Sequence, residues 1–203
     1  MATGGSPVRG RNQTARPNGV QTGGGGESDG PSSVAAMGAP RIRTAVPKDA
    51  AAVLAHVRVV LDETTFLTKP AEELQLSADE EAEIIEELNE GGDLMLVAVD
   101  GPDVVAMLTA RRPPGSRVRH GAEIGISVRK AYWGQRLGRR LLEGLVEWAS
   151  AEGVDRLELR VRKDNTRAIA LYEAMGFEVE GTMRDAFRIG ARSYDELFMT
   201  RLA

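Results

Sequence analysis

The sequence predicts a mixed α/β domain over residues 41–203, with a central mixed sheet flanked by helices. Three observations carry that prediction. A length of 203 residues suits one domain with a proper core. Hydrophobic residues at 42% and charged ones at 28% are the proportions of an ordinary globular chain, so material for that core is present. The apolar periodicity switches between strand and helix in the order β-α-α-β-β-β-α-β-α-β-β, which is not the regular alternation of a doubly wound sheet.

Residues 1–40 stand apart. They are dominated by Gly, Ser, Pro, Thr, Asn and Ala, run through Gly23-Gly24-Gly25-Gly26 and hold no aromatic residue. Such a segment cannot bury enough apolar surface to offset the entropy of ordering it, so a disordered tail is expected. From Arg41 the texture changes. Arg41–Ala45 reads as a short strand, and Pro47 with Asp49 opens a helix whose face carries Ala52, Val53, His56, Val57 and Val60. Residues 62–76 read as loop. Ser77 and Glu80 then form a capping-box pattern for an acidic helix ending near Gly91. Strands Leu94–Val99 and Val104–Ala110 flank the turn Asp100-Gly101-Pro102-Asp103. After a loop over Arg111–Gly121 come strand Ala122–Val128, helix Gly134–Ala151 and strand Arg156–Val161. Helix Thr166–Met175 and strands Phe177–Met183 and Tyr194–Leu202 complete the chain.

Composition excludes several chemistries. Without cysteine there is no disulfide, thiolate metal site or cysteine nucleophile. His56 and His120 are too far apart for a convincing metal cluster, so a metal-free protein is expected. No apolar run approaches the roughly 20 residues needed to span a bilayer, and the N-terminus lacks the apolar core of a secretory signal. A cytoplasmic protein with no membrane partner is expected. Net charge is −4, and the acidic excess falls in residues 41–203, which does not suit nucleic acid such as duplex DNA. It is compatible with an amine-bearing substrate.

Two segments carry chemistry. Trp133-Gly134-Gln135-Arg136-Leu137-Gly138-Arg139 follows a strand and opens a helix. Glycine there permits close backbone approach to a ligand, and the free N–H groups of a helix start suit a pyrophosphate. Arg129, Lys130, Arg136, Arg139 and Arg140 add positive charge nearby. The second segment runs Asn165-Thr166-Arg167-Ala168-Ile169-Ala170-Leu171-Tyr172-Glu173-Ala174-Met175-Gly176-Phe177. Asn165 and Tyr172 are seven residues apart and share one helix face. Gly176 sits just past the helix, where a left-handed cap is common.

The first segment resembles the acyl-CoA loop of the GNAT (GCN5-related N-acetyltransferase) superfamily, a (Gln/Arg)-x-x-Gly-x-(Gly/Ala) pattern. Gly138 matches its last position, while Trp133 and Arg136 stand where Gln or Arg and the middle glycine are usual. The Arg136 backbone N–H can still donate, but its Cβ calls for an ordinary negative φ. The second segment closely resembles the superfamily's Asn-x-x-Ala-x-x-Leu-Tyr-x-x-x-Gly-Phe stretch. The resemblance extends from Arg41 to the end and implies a V-shaped opening between two central strands. Acetyl-CoA, the implied acetyl donor, would lie with its pantetheine on Ile126, Ser127 and Val128 and its pyrophosphate against Gly134, Gln135, Arg136, Leu137, Gly138 and Arg139. Asn165 would complete the cofactor site.

The implied reaction is direct N-acetylation of a primary amine, on a small molecule such as a polyamine or on a peptide N-terminus. Tyr172 would protonate or hold the departing thiolate. Glu123, at the start of the cofactor strand, is the expected general base, acting directly or through water. A backbone N–H near Ile126–Val128 would stabilise the oxyanion. His120, Glu173, Asp195 and Glu196 are reserve acid–base candidates. The hairpin from Gly181 to Met199 resembles that of small-amine and ribosomal-protein acetyltransferases and is a candidate homodimer contact. Two alternatives stand beside this reading: a noncatalytic acyl-CoA-binding module, and a nucleotide-binding regulatory domain. Against the latter, the acidic ribose-binding residue expected after a βαβ start is missing.

Overall fold

The computed structural model describes residues 38–203, residue 69 excepted; the tail expected over residues 1–40 lies, up to residue 37, outside the described residues. The elements are β1 (Arg41–Thr44), α1 (Ala50–Glu63), α2 (Ala78–Gly91), β2 (Leu94–Asp100), β3 (Asp103–Arg111), β4 (Gly121–Val128), α3 (Leu137–Glu152), β5 (Arg156–Arg162), α4 (Thr166–Ala174), β6 (Glu178–Ile189) and β7 (Arg192–Leu202). Their order is the expected one. The strands form a seven-stranded sheet in the order β1-β2-β3-β4-β5-β7-β6, and only β4 and β5 run parallel. No helix among the described residues is long and apolar enough to cross a membrane.

The sequence dictates much of this locally. Leu94, Met95, Leu96, Val97 and Ala98 form an unbroken apolar run, as befits a strand covered on both faces, and all five are buried. Leu94, Leu96 and Ala98 join one core with Leu137, Leu141, Leu142 and Leu145 of α3. Met95 and Val97 join another with Val53 of α1 and Ile85 and Leu88 of α2. The capping box of α2 is closed in both directions: Glu80 N–H donates to Ser77 Oγ at 3.2 Å, and Ser77 N–H to Glu80 Oε2 at 2.8 Å. At the start of α1, Asp49 accepts from Val46 N–H at 2.9 Å and from Arg43 at 2.8 Å, which ties β1 to the helix.

Three expectations need correction. The fully buried residues of α1 are Ala50, Val53, Leu54, His56 and Val60; Ala52 and Val57 are half-buried, Ala52 packing at the edge of the core, and Leu54 was not expected there. Helix α3 begins at Leu137 instead of Gly134, because Gly134 and Arg136 both take positive φ and interrupt the helical path. The last two strands run on past Met183 and begin before Tyr194. Between Met183 and Phe187 the register slips in a bulge where Asp185 adopts a φ of 53°, and this bulge erased the alternation that would have marked a strand.

The feature that positions the site is the short pairing of β4 with β5. They are in register only at Gly121↔Arg156, Ala122↔Leu157 and Glu123↔Glu158. Beyond Glu123 and Glu158 the two parallel strands part, giving the expected V-shaped opening, while β4 stays paired with β3 as far as Val128.

Candidate active site

The backbone of β4 supplies the first set of functional groups. In an antiparallel ladder, hydrogen-bonded and non-hydrogen-bonded pairs alternate. Arg129 N–H donates to Val105 O at 3.0 Å, continuing the register Ala106↔Val128, so residues 129, 127 and 125 point their backbone polar groups at β3. Those of Val128 and Ile126 therefore face the other way, into the gap that β5 has left. The Val128 carbonyl accepts from the Trp133 indole N–H at 2.9 Å. The Ile126 and Val128 N–H groups and the Ile126 carbonyl remain presented to a ligand.

The turn after β4 supplies the second set. Gly134 at a φ of 80° and Arg136 at 61° bend the chain so that it enters α3 with no side chain capping the helix. Arg136 thus adopts the left-handed conformation that its Cβ disfavours by about 1–2 kcal/mol, which corrects the expected ordinary φ. The turn geometry demands positive φ there, so the residue is glycine in the pattern that this segment resembles. The first intrahelical bond runs from Arg140 N–H to Arg136 O, so the N–H groups of Leu137, Gly138 and Arg139 are left for an acceptor. Gly138 lets α3 pack closely on α4: a Cβ there would stand 2.9 Å from Leu171 Cδ2, so that side-chain end would have to turn aside. The loop itself is pinned by Lys130 N–H on Glu63 Oε2 at 2.6 Å and by Tyr132 O–H on Asp100 Oδ2 at 2.8 Å.

These groups open onto a cavity of about 710 Å³. Of the residues expected in a cofactor site, Ile126, Ser127, Val128, Gly134, Arg136, Leu137, Gly138, Arg139 and Asn165 line it, and so does Tyr172. Asn165 caps α4 by accepting from Ala168 N–H at 3.3 Å, which leaves its amide N–H₂ to donate elsewhere. Tyr172 is 7% exposed, and burial pushes its phenol up to about 12, so it stays protonated at any physiological pH. Its hydroxyl has no hydrogen-bond partner among the described residues. Arg136, Arg139 and Arg167 put three cations on the cavity wall, with Arg167 stacked 4.6 Å over the Trp133 ring.

Two expected residues lie off that wall. Gln135 folds back, its side-chain N–H donating to Ala131 O at 3.1 Å. Glu123 occupies the last register in which β4 pairs with β5, with a side chain 59% exposed and 3.2 Å from Arg160. Among the reserve candidates, His120 and Glu173 are exposed, Asp195 accepts from Asp185 N–H at 3.1 Å, and Glu196 is buried in β7; none lines the cavity.

The opposite wall was not anticipated. Val60 at the end of α1 and Thr64, Phe66 and Leu67 beyond it face β4 across the cavity. Arg162, 4% exposed at the end of β5, holds this stretch in place. Its guanidinium donates to Thr65 O at 2.7 Å and to Asp164 at 2.6 and 3.0 Å, and stacks on Phe66, Phe187 and Tyr194 at 4.6, 5.2 and 3.9 Å. One cation thus joins the post-α1 loop, the turn before α4 and the β6–β7 hairpin. The available signal was Phe66, the one aromatic in the loop over residues 62–76, but nothing local connects it to Arg162.

Comparison with known proteins agrees with this geometry. The family model for the acetyltransferase (GNAT) family matches residues 60–177. The L-amino acid N-acetyltransferase AaaT of Escherichia coli (strain K12) is 32% identical over 112 residues, which cover 53% of this chain and 67% of that protein. The ribosomal protein bS18-alanine N-acetyltransferase of the same organism is 49% identical over 59 residues, 29% of this chain and 39% of the relative, so that match spans well under half of its length. A crystal structure of an acetyltransferase of the GNAT family from Streptococcus pneumoniae superposes with a TM-score of 0.77 at 31% identity, covering 80% of this chain and 98% of the other.

Proposed function

The chain belongs to the GNAT acetyltransferase family, and we propose that it transfers the acetyl group of acetyl-CoA to a primary amine by direct attack. The observation that carries this reading is the convergence on one cavity of an unpaired strand edge, an uncapped helix start and a buried, protonated phenol. The strand edge at Ile126 and Val128 matches the alternating amide groups of a pantetheine arm, and the α3 start with Arg136, Arg139 and Arg167 suits its phosphates. AaaT is named for amino acids and the bS18 enzyme for a protein alanine, both α-amines. Free amino acids and peptide N-termini therefore join polyamines as the acceptors to test.

In the proposed reaction the amine nitrogen attacks the thioester carbon, a C–N bond forms, and a backbone N–H of Ile126 or Val128 holds the oxyanion. The C–S bond then breaks and the thiolate leaves. A cysteine-like thiol titrates near about 8.5, well below the Tyr172 phenol, so full proton transfer from Tyr172 to the thiolate is uphill. Tyr172 therefore acts as a hydrogen-bond donor to the sulfur, and the thiolate's proton comes from the amine through solvent. Glu123, exposed where β4 and β5 part, serves as the base through water. On that assignment Glu123→Gln lowers activity chiefly at low pH, where the amine arrives protonated; an unaltered pH profile moves the base elsewhere.

Thiol release from acetyl-CoA in the presence of amino acids, alanine-terminated peptides and polyamines tests the proposal. Release dependent on one amine class, with an equal amount of acetylated amine by mass spectrometry, is the expected result. Tight acetyl-CoA binding with no amine-dependent release would instead identify a noncatalytic acyl-CoA-binding module.

A further inference from the structure

His56 projects from α1 into the interior and is 0% exposed. Burial first, and the Arg129 cation second, push its pKa down to about 4, so the ring is neutral at neutral pH. A neutral imidazole carries one N–H and one lone pair, and each needs a partner when buried. Nε2 lies 2.8 Å from Ser127 Oγ. Nδ1 has no partner within hydrogen-bonding limits, but the Val104 backbone lies close enough to favour a proton on the ring. Because the Ser127 hydroxyl is the one hydrogen-bond partner of the ring among the described residues, at Nε2, the proton is assigned to Nδ1 and the Nε2 lone pair accepts the Ser127 hydroxyl.

That arrangement has a chemical consequence for the cavity, which Ser127 lines. Strand alternation turns the Ser127 side chain toward α1, on the face opposite the side chains of Ile126 and Val128. The hydroxyl thus sits one residue from each backbone N–H offered to the thioester, on the side where Val60, Thr64, Phe66 and Leu67 form the second wall. With its hydrogen committed to His56, the Ser127 oxygen presents only lone pairs to the cavity.

We infer that Ser127 orients the attacking amine by accepting one of its N–H groups, and that His56 is the positioning residue that keeps the hydroxyl turned to accept. The inference rests on the proposed acetyl transfer. Holding one N–H of a neutral amine leaves the nitrogen lone pair free to face the carbonyl carbon, so the contact selects uncharged amines that retain an N–H. No proton is transferred by the pair: the hydroxyl hydrogen stays between Ser127 and His56 throughout.

A double-mutant cycle tests it, with steady-state rates for the amine, acetyl-CoA titration and thermal unfolding measured for each variant. Ser127→Ala should lower kcat/KM for the amine roughly tenfold, the worth of one hydrogen bond to a substrate, and leave acetyl-CoA affinity and unfolding temperature nearly unchanged. Ser127→Thr, which keeps the hydroxyl and suits a strand, should retain most of the activity. His56→Phe keeps a planar ring in the core but cannot accept the hydroxyl, and should cost about as much as Ser127→Ala, and the double variant no more than either alone. Additive losses, or a His56→Phe defect that appears only as a lower unfolding temperature, would overturn the role of His56. Unchanged kinetics in Ser127→Ala would overturn the inference while acetyl transfer stands. A wild-type protein that acetylates no amine would overturn both.

Discussion

The two walls of the cavity are made by different means. The wall from Ile126 to Arg139 and from Asn165 to Tyr172 comes from two unbroken segments and works largely through main-chain groups: the open edge of β4, the uncapped start of α3 and the Asn165 cap of α4. The wall from Val60 to Leu67 is set by side chains reaching across the chain. Arg162 holds Thr65 from 97 residues away, and His56 meets Ser127 from 71. Backbone chemistry imposes residue types at fixed spacing, because only certain residues tolerate a left-handed turn or a close helix contact. Side-chain clamps impose no such spacing and can be exchanged for others, which suits the wall that would meet a variable acceptor.

The largest expected effect separates the walls by stability. Arg162→Met removes a buried cation from three rings and from Thr65 O, and should cost about 2–4 kcal/mol in denaturant unfolding. It should also raise KM for the amine several-fold while acetyl-CoA affinity holds. Equal weakening of both ligands would mean that the walls are not independent.

Tyr172→Phe acts on the other side. In the proposed reaction it removes the donor to the leaving sulfur, so it should lower turnover by about one order or more, with acetyl-CoA affinity within about twofold. Unchanged turnover would remove Tyr172 from the reaction. Smaller still is Arg136→Gly, which relieves the left-handed strain and should stabilise the fold by about 1 kcal/mol. The lost cation should weaken acetyl-CoA two- to threefold at low salt, roughly what one surface charge contributes, and less at high salt. Destabilisation by this change would contradict the turn geometry.

The same contrast explains what could be read from the chain. The order of elements and the capping box of α2 follow from local patterns, and Asn165, Tyr172 and Gly138 stand at motif positions that the cavity brings together. Arg136 misled because a positive φ is invisible when the residue is not glycine. The β6–β7 hairpin was cut short because the bulge at Asp185 breaks the alternation on which a strand is recognised. Glu123 was expected from its place at the start of the cofactor strand but lies off the cavity wall, since the side chain of a strand residue turns with its register. The Phe66–Arg162 stack and the His56–Ser127 pair left no local mark, because each depends on where distant segments meet.

The most direct test of the central claim, that the parted edge of β4 and the start of α3 hold acetyl-CoA, is an amide NMR titration. On adding acetyl-CoA, the Ile126, Val128, Leu137, Gly138 and Arg139 amides should shift together and saturate, with Thr65 and Phe66 moving only once an amine is added. Saturation with those five amides unmoved, or with the shifts centred elsewhere, would contradict it.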